Sequence, residues 1–93
     1  MIRTFSDTET EKLFNDERSR RLPQDIQRRA RRKLLMLDQA RDVNDLRTPP
    51  GNRLELLSGD RAGQHSVRIN RQWRICFRFS DGDAFDVEIT DYH

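Results

Sequence analysis

The chain is expected to adopt an α+β fold, with N-terminal helices packed on one face of a small antiparallel β-sheet. Two features of the sequence predict it. Apolar residues recur at helical spacing up to about Ala40, and after Gly51 the apolar period changes to two. The turns between the period-two runs are short, and short connections force antiparallel neighbours.

The elements follow in chain order. Ile2 and Phe5 alternate with polar neighbours, and Ser6 followed by Glu9 has the spacing of a capping box, so a first helix is expected to start at Asp7. Leu13 and Phe14 are its only large apolar residues. Asn15 to Arg21 holds seven polar residues in succession and is expected to be a mobile loop. Pro23 suits the first turn of a second helix, in which Ile26, Ala30, Leu34 and Leu37 line one face. The other face carries Arg28, Arg29, Arg31, Arg32 and Lys33, either as a solvated surface or as one that meets an acidic partner or RNA backbone. Asp42 to Leu46 fits one more helical turn, and Thr48-Pro49-Pro50-Gly51-Asn52 breaks regular structure.

Four strands are expected after that break. Leu54 and Leu56 alternate with Arg53 and Glu55, and Gly59 to Gly63 turns the chain into Val67 and Ile69. A turn at Asn70-Arg71-Gln72 leads to Trp73, Ile75, Phe77 and Phe79. A third turn at Ser80-Asp81-Gly82-Asp83 leads to Phe85, Val87 and Ile89. Period-two alternation places Trp73 to Phe79 and Phe85 to Ile89 on a single buried face. The opposite face is then polar, presenting Arg68, Arg74 and Arg78 beside Glu55, Asp86 and Glu88, and some of these charges can pair across strands.

With 93 residues the chain has room for one core, so residues 1–93 are expected to form a single domain. Cys76 is the lone cysteine, which excludes an internal disulfide framework and fits a reducing cytosol; in its apolar run it reads as a small packing residue. No segment approaches the roughly 20 apolar residues of a membrane span, so a cytoplasmic protein without membrane association is expected. The net charge of +2 hides a segregation. Arg61, Arg68, Arg71, Arg74 and Arg78 occur with no carboxylate between Arg61 and Ser80, whereas Asp81, Asp83, Asp86, Glu88 and Asp91 follow with no Lys or Arg after them. Only Lys12 and Lys33 among the 18 basic residues are lysines, and the arginine fork suits phosphates and stacking on bases, although a GC-rich genome also favours arginine.

Zinc spacing, a phosphate-binding glycine loop, a serine nucleophile elbow and a carboxylate metal cluster are all missing from the sequence, so no metal or cofactor is expected and an enzyme here would work with side chains alone. RNA permits that, because its 2′-hydroxyl is a nucleophile built into the substrate. A base removes the 2′ proton, cations stabilise the phosphorane, and an acid protonates the departing 5′-oxygen. The final Asp91-Tyr92-His93 offers suitable residue types beside the basic sheet face; a packed terminal tyrosine and a dangling histidine are the ordinary alternative.

The second half of the chain resembles the HigB toxins of the RelE superfamily. The resemblance runs through Leu54-Glu55-Leu56-Leu57-Ser58-Gly59-Asp60-Arg61-Ala62-Gly63, Val67-Arg68-Ile69-Asn70 and Trp73-Arg74-Ile75-Cys76-Phe77, to Asp91-Tyr92-His93. Ile2-Arg3-Thr4-Phe5 and the helix ending near Leu37-Asp38 match as well. It implies a RelE-like fold and a cytosolic toxin that cuts mRNA in the ribosomal A site. It also implies a helix-turn-helix antitoxin of the HigA type, which neutralises the toxin and carries it to operator DNA. Asp91, Tyr92 and His93 are then expected in the site, with Arg74 stabilising phosphate charge and Arg61, Arg68, Arg71 and Arg78 contacting RNA. His93 suits the acid, because Asp91 and its own terminal carboxylate favour the imidazolium, and Tyr92 suits stacking on a base.

One departure matters. Relatives carry a histidine and a lysine where this chain has Glu55 and Ser58; Glu55 can serve as base, but Ser58 cannot supply a lysine's charge. Cleavage that is weaker or leans more on ribosomal positioning is therefore expected. Two other readings stay open: a gyrase poison like the ParE branch of the superfamily, which needs no catalytic residues, and a non-catalytic module that binds nucleic acid or antitoxin.

Overall fold

A computed structural model describes residues 1–91. Helix α1 spans Thr8–Phe14 and α2 spans Gln24–Gln39, followed by 3₁₀ turns at Val43–Arg47 and Pro50–Asn52. Strands β1 (Glu55–Leu56), β2 (His65–Arg68), β3 (Trp73–Ser80) and β4 (Asp83–Asp91) form an antiparallel sheet in the order β1-β2-β3-β4, with a 3₁₀ turn at Gly59–Arg61 between the first two. The α+β arrangement and the meander expected from the sequence are both present. None of the helices among the described residues is long and apolar enough to cross a membrane.

Helix α2 buries Ile26, Ala30, Leu34 and Leu37, the predicted stripe, against Val67, Ile75, Phe77, Val87 and Ile89 of the sheet. Helix α1 is short and held from outside. Asp7, not Ser6, is its N-cap: Asp7 Oδ1 accepts from the Thr10 amide at 2.7 Å, while the Ser6 hydroxyl donates to the Asp86 carbonyl. The expected Ser6–Glu9 box does not form because each residue has a tertiary partner. Thr10 is fully buried, and its hydroxyl oxygen accepts from the Ile89 amide at 3.0 Å, which clamps α1 onto β4.

The segment predicted to be a mobile loop is tied down. Ser19 is fully buried; its hydroxyl donates to Glu9 at 2.7 Å and accepts from the Arg21 and Leu22 amides. Gln27 of α2 closes the arrangement by donating to the Ser19 and Leu22 carbonyls. The hydrogen bond from Ser19 is the main reason the Glu9 carboxyl lies below its ordinary pKa, opposed in part by burial and assisted by Lys12 and Arg21. A polar stretch is read as mobile only when its groups face water; here they satisfy one another.

Two further expectations change at the sheet. The β3–β4 turn is the predicted one: Asp81 and Gly82 both have positive φ, the two-residue hairpin for which Asp-Gly is suited. Beyond it the register shifts between Cys76/Arg78 and their partners, and Asp86 takes φ 54°. This bulge moves Phe85 off the core face, where it was expected, and opposite Arg78; Ala84, fully buried opposite Phe79, occupies the core position instead. At the other edge, β1 is only two residues long and Leu56 is 65% exposed, so Leu54 and Leu57 supply the apolar contacts. The outer edge of β4 is covered by the N-terminal segment, which bridges in parallel at Ile2–Ala84 and Phe5–Val87.

Candidate active site

The face of the sheet opposite the helices is built in rows. Cross-strand pairing aligns Glu55, Ser66, Cys76 and Glu88 in one row and Arg68, Arg74 and Thr90 in the next. Residues directly opposite on antiparallel strands stand about 5 Å apart, so each row is a line of adjacent side chains. Ser66 and Cys76 are fully buried at the middle of the first row and form a floor. Cys76 therefore lies beneath the polar face, buried there as the small packing residue expected from the sequence. Burial pushes the thiol up in pKa; Arg61 and Arg74 oppose that, and Glu88 and Glu55 add to it. A protonated, covered thiol is inert, and the four charges it senses mark out the site around it.

Each cation is aimed by neighbours. The Arg74 guanidinium donates from Nε to Ser66 Oγ at 2.7 Å and from Nη2 to the Arg53 carbonyl at 2.7 Å. Arg53 follows the Pro50–Asn52 turn with φ 45°, a left-handed conformation that costs a non-glycine residue about 1 kcal/mol or more and turns its carbonyl toward Arg74. That turn is pinned by Asn52, which is fully buried: Nδ2 donates to the Leu46 carbonyl at 3.1 Å and the Thr48 carbonyl at 3.3 Å, and Oδ1 accepts from Lys33. Arg61 arrives from the loop between β1 and β2. Its Nη1 donates to Glu88 at 2.7 Å and to Gln64 at 3.0 Å, and the bond to Glu88 is charge-assisted with both side chains about a third exposed. Arg78, further toward the β3–β4 hairpin, pairs loosely with Asp86 at 3.6 Å. Its guanidinium lies over Gly63, where a Cβ would come within 2.9 Å of Nη1.

The predicted residues divide accordingly. Arg61, Arg74 and Glu55 surround the Ser66–Cys76 floor, and Arg78 borders it. Glu88, placed by sequence reasoning only as a neighbour on the polar face, is the partner of Arg61. Arg68 and Arg71 do not join this group: Arg68 donates to the Asn70 carbonyl at 3.0 Å, and both line a separate cleft at the end of the sheet. Asp91 pairs across from Trp73, so its side chain leaves β4 on the same side as Ile89 and opposite to Glu88 and Thr90; it accepts from Gln72 at 2.8 Å. Tyr92 and His93 lie outside the described residues. Ser66, the Arg53 carbonyl and Asn52 had not been identified as site elements. An alternating polar serine was the sole visible signal for Ser66, and a backbone carbonyl leaves none. Among the described residues no group of three or more His, Cys, Asp or Glu is placed to hold a metal ion.

The arrangement brings two guanidiniums and two carboxylates around one buried floor, groups able to stabilise anionic charge and to exchange protons. Comparison with known proteins agrees with the resemblance seen in the sequence. The chain is 41% identical over 93 residues to Toxin HigB-1 of Vibrio cholerae, covering 99% of this chain and 98% of that one. It is 31% identical to Endoribonuclease HigB of Proteus vulgaris over the full length of both. Among solved structures, a YafQ variant from E. coli superposes with TM-score 0.66 at 13% identity, over 98% of this chain and 91% of that one. YoeB in its complex with YefM from Staphylococcus aureus gives 0.62 at 21% identity, over 100% and 95%. These two establish the shared fold. Residues 3–93 match the family described as RelE-like toxin of type II toxin-antitoxin system HigB, and the chain belongs to that family.

Proposed function

We propose that this chain, as a single toxin domain, is an mRNA endoribonuclease that acts on translating ribosomes and cuts the message in the A site without a metal ion. The observation that carries the reading is the pair of aimed guanidiniums, Arg61 and Arg74, above one buried floor with carboxylates at its margins. In the proposed reaction the 2′-oxygen attacks the adjacent phosphorus while a base, Glu55, takes its proton. The P–O5′ bond breaks, His93 protonates the departing 5′-oxygen, and the products carry a 2′,3′-cyclic phosphate and a 5′-hydroxyl. Arg74 and Arg61 stabilise the charge that gathers on the phosphorane. Arg61 supplies from the following turn a charge that Ser58 cannot. Tyr92 stacks on a base, as its residue type suits. The name borne by the Proteus vulgaris relative supports endoribonuclease activity.

The same reading includes a cytoplasmic location and neutralisation by a helix-turn-helix antitoxin of the HigA type, through which the pair reaches operator DNA. Inducing the protein alone and mapping mRNA 5′ ends tests it. Cleavage within translated codons is expected, and Arg74→Gln should lower it by about 10²-fold or more while antitoxin binding persists. Intact transcripts with a DNA-damage response would replace this reading with gyrase poisoning, and neither response would leave only a binding module.

A further inference from the structure

Arg68 and Arg71, which do not reach the Arg61–Arg74 site, meet α2 instead. With Arg29, Lys33, Gly51, Ile69 and Asn70 they line a cleft of about 360 Å³ at the end of the sheet. Among the described residues four cations line this cleft and no carboxylate does. Each of three is fixed by a neutral oxygen: Arg29 donates to the Ile69 carbonyl at 3.2 Å, Arg68 to the Asn70 carbonyl at 3.0 Å, and Lys33 to the Asn52 side chain. Among the described residues none of the four forms an ion pair, although Arg3, Arg31, Arg61 and Arg78 all do. Burial first, and then Arg29 and Arg32, pull the Lys33 ammonium below its ordinary pKa. Such a cluster repels itself and gains by taking up an anion.

We propose that this cleft is a second phosphate subsite, which grips the RNA backbone on one side of the phosphate being cut. The inference rests on the nuclease reading and deepens it. Arg68 stands directly opposite Arg74 in the sheet, yet the two reach in opposite directions, Arg74 toward β1 and Arg68 toward the β2–β3 turn. A strand of RNA lying on Arg74 therefore continues onto Arg68 and into the cleft without leaving positive surface. That continuity favours a phosphodiester over an acidic protein segment, which would have no need to adjoin the site. Guanidiniums held in advance by backbone carbonyls lose little freedom when they bind phosphate.

The test uses the full chain and 2′-O-methyl RNA, which cannot be cut by attack of its own 2′-oxygen. Fluorescence anisotropy would compare oligomers of about three and about nine nucleotides over a range of salt. Arg29→Gln with Arg71→Gln, both exposed positions, should raise Kd several-fold on the longer RNA and lower the salt slope by about 0.7 for each phosphate that is no longer neutralised. The short RNA should bind both proteins alike. Arg18→Gln with Arg20→Gln removes the same net charge elsewhere and should leave both RNAs unaffected. Equal slopes for wild type and the cleft variant on the longer RNA would overturn the proposal, as would equal weakening by the control pair. Unchanged RNA binding with impaired antitoxin binding would also overturn it and make the cleft a protein interface. Absence of message cleavage by the wild type on translating ribosomes would sink the nuclease reading alone, since binding is measured separately.

Discussion

Replacing Asn52 by Ala tests how the site is supported from below. The side chain is fully buried and reaches three elements: Leu46 in the first 3₁₀ turn, Thr48 in the connecting loop, and Met36 and Lys33 on α2. Loss of the two carbonyl bonds costs about 0.5–1.5 kcal/mol each, and the Leu46 carbonyl, left buried without this donor, adds a penalty of about 1–3 kcal/mol that partly overlaps the first. A total of about 2–4 kcal/mol is expected from a chain whose whole stability is on the order of 5–14 kcal/mol. For a protein of this size that is a fall in Tm of about 10–25 °C. Thermal unfolding followed by circular dichroism reads it directly, and Asn52→Asp, which keeps an acceptor for Lys33 but no donor, should recover only part of the loss. A fall of less than about 4 °C for Asn52→Ala would refute the idea that this residue holds the 43–53 segment, and with it the account of how the Arg53 carbonyl is presented to Arg74.

Further outcomes are expected from the same geometry. Ser66→Ala removes the hydroxyl that orients Arg74 and should slow single-turnover cleavage about 10-fold with ribosome affinity unchanged, and Arg74→Lys should not restore activity because an ammonium cannot span Ser66 and Arg53 together. Arg61→Met should cost cleavage about 10²-fold. Glu88→Gln should leave Tm nearly unchanged, since the pair is about a third exposed and contributes less than about 1 kcal/mol to stability. The His65 imidazole lies below its ordinary pKa, through burial first and the charge of Arg47 second, and among the described residues its buried Nδ1 has no hydrogen-bond partner. The unfolded chain then binds the proton more readily, so stability should be complete above about pH 6.5 and fall as pH drops through the lower folded value. In thermal melts His65→Gln should flatten that dependence, and an unaltered Tm-against-pH curve would dismiss the assignment.

How far the sequence could be read depended on whether a residue's partner was local. The α2 stripe from Ile26 to Leu37 and the Asp81-Gly82 turn are local patterns, and both fold as the residues predict. The alternation along β4 is local too, but it admits two frames. Phe85 on the core face and Ala84 on the core face are equally regular, and hydrophobicity favours the first. The choice is made by neighbours remote in sequence: Phe79 stands opposite Ala84, and the N-terminal segment bridges to it at Ile2, both of them packed on the core. Large groups converging on one place require a small residue there, and the bulge at Asp86 is what brings Ala84 into line.

The same distinction governs the site. Residue types were visible, since arginines dominate the polar face and Glu55 and Glu88 alternate onto it. Their grouping was not, because arginine is long enough to choose among several acceptors, and for Arg68 and Arg74 those include backbone carbonyls. Arg74 and Arg68 are adjacent in the sheet and alike in chemistry, yet the Arg53 carbonyl draws one toward Glu55 and the Asn70 carbonyl draws the other toward α2. A carbonyl's direction is fixed by the backbone around it, here a left-handed turn at Arg53 and a loop at Asn70. Separation of the five basic residues into an Arg61–Arg74 site bordered by Arg78 and an Arg68–Arg71 cleft is thus a property of the turns rather than of the strands. Substitutions in those turns should therefore redirect the arginines while leaving the sheet intact.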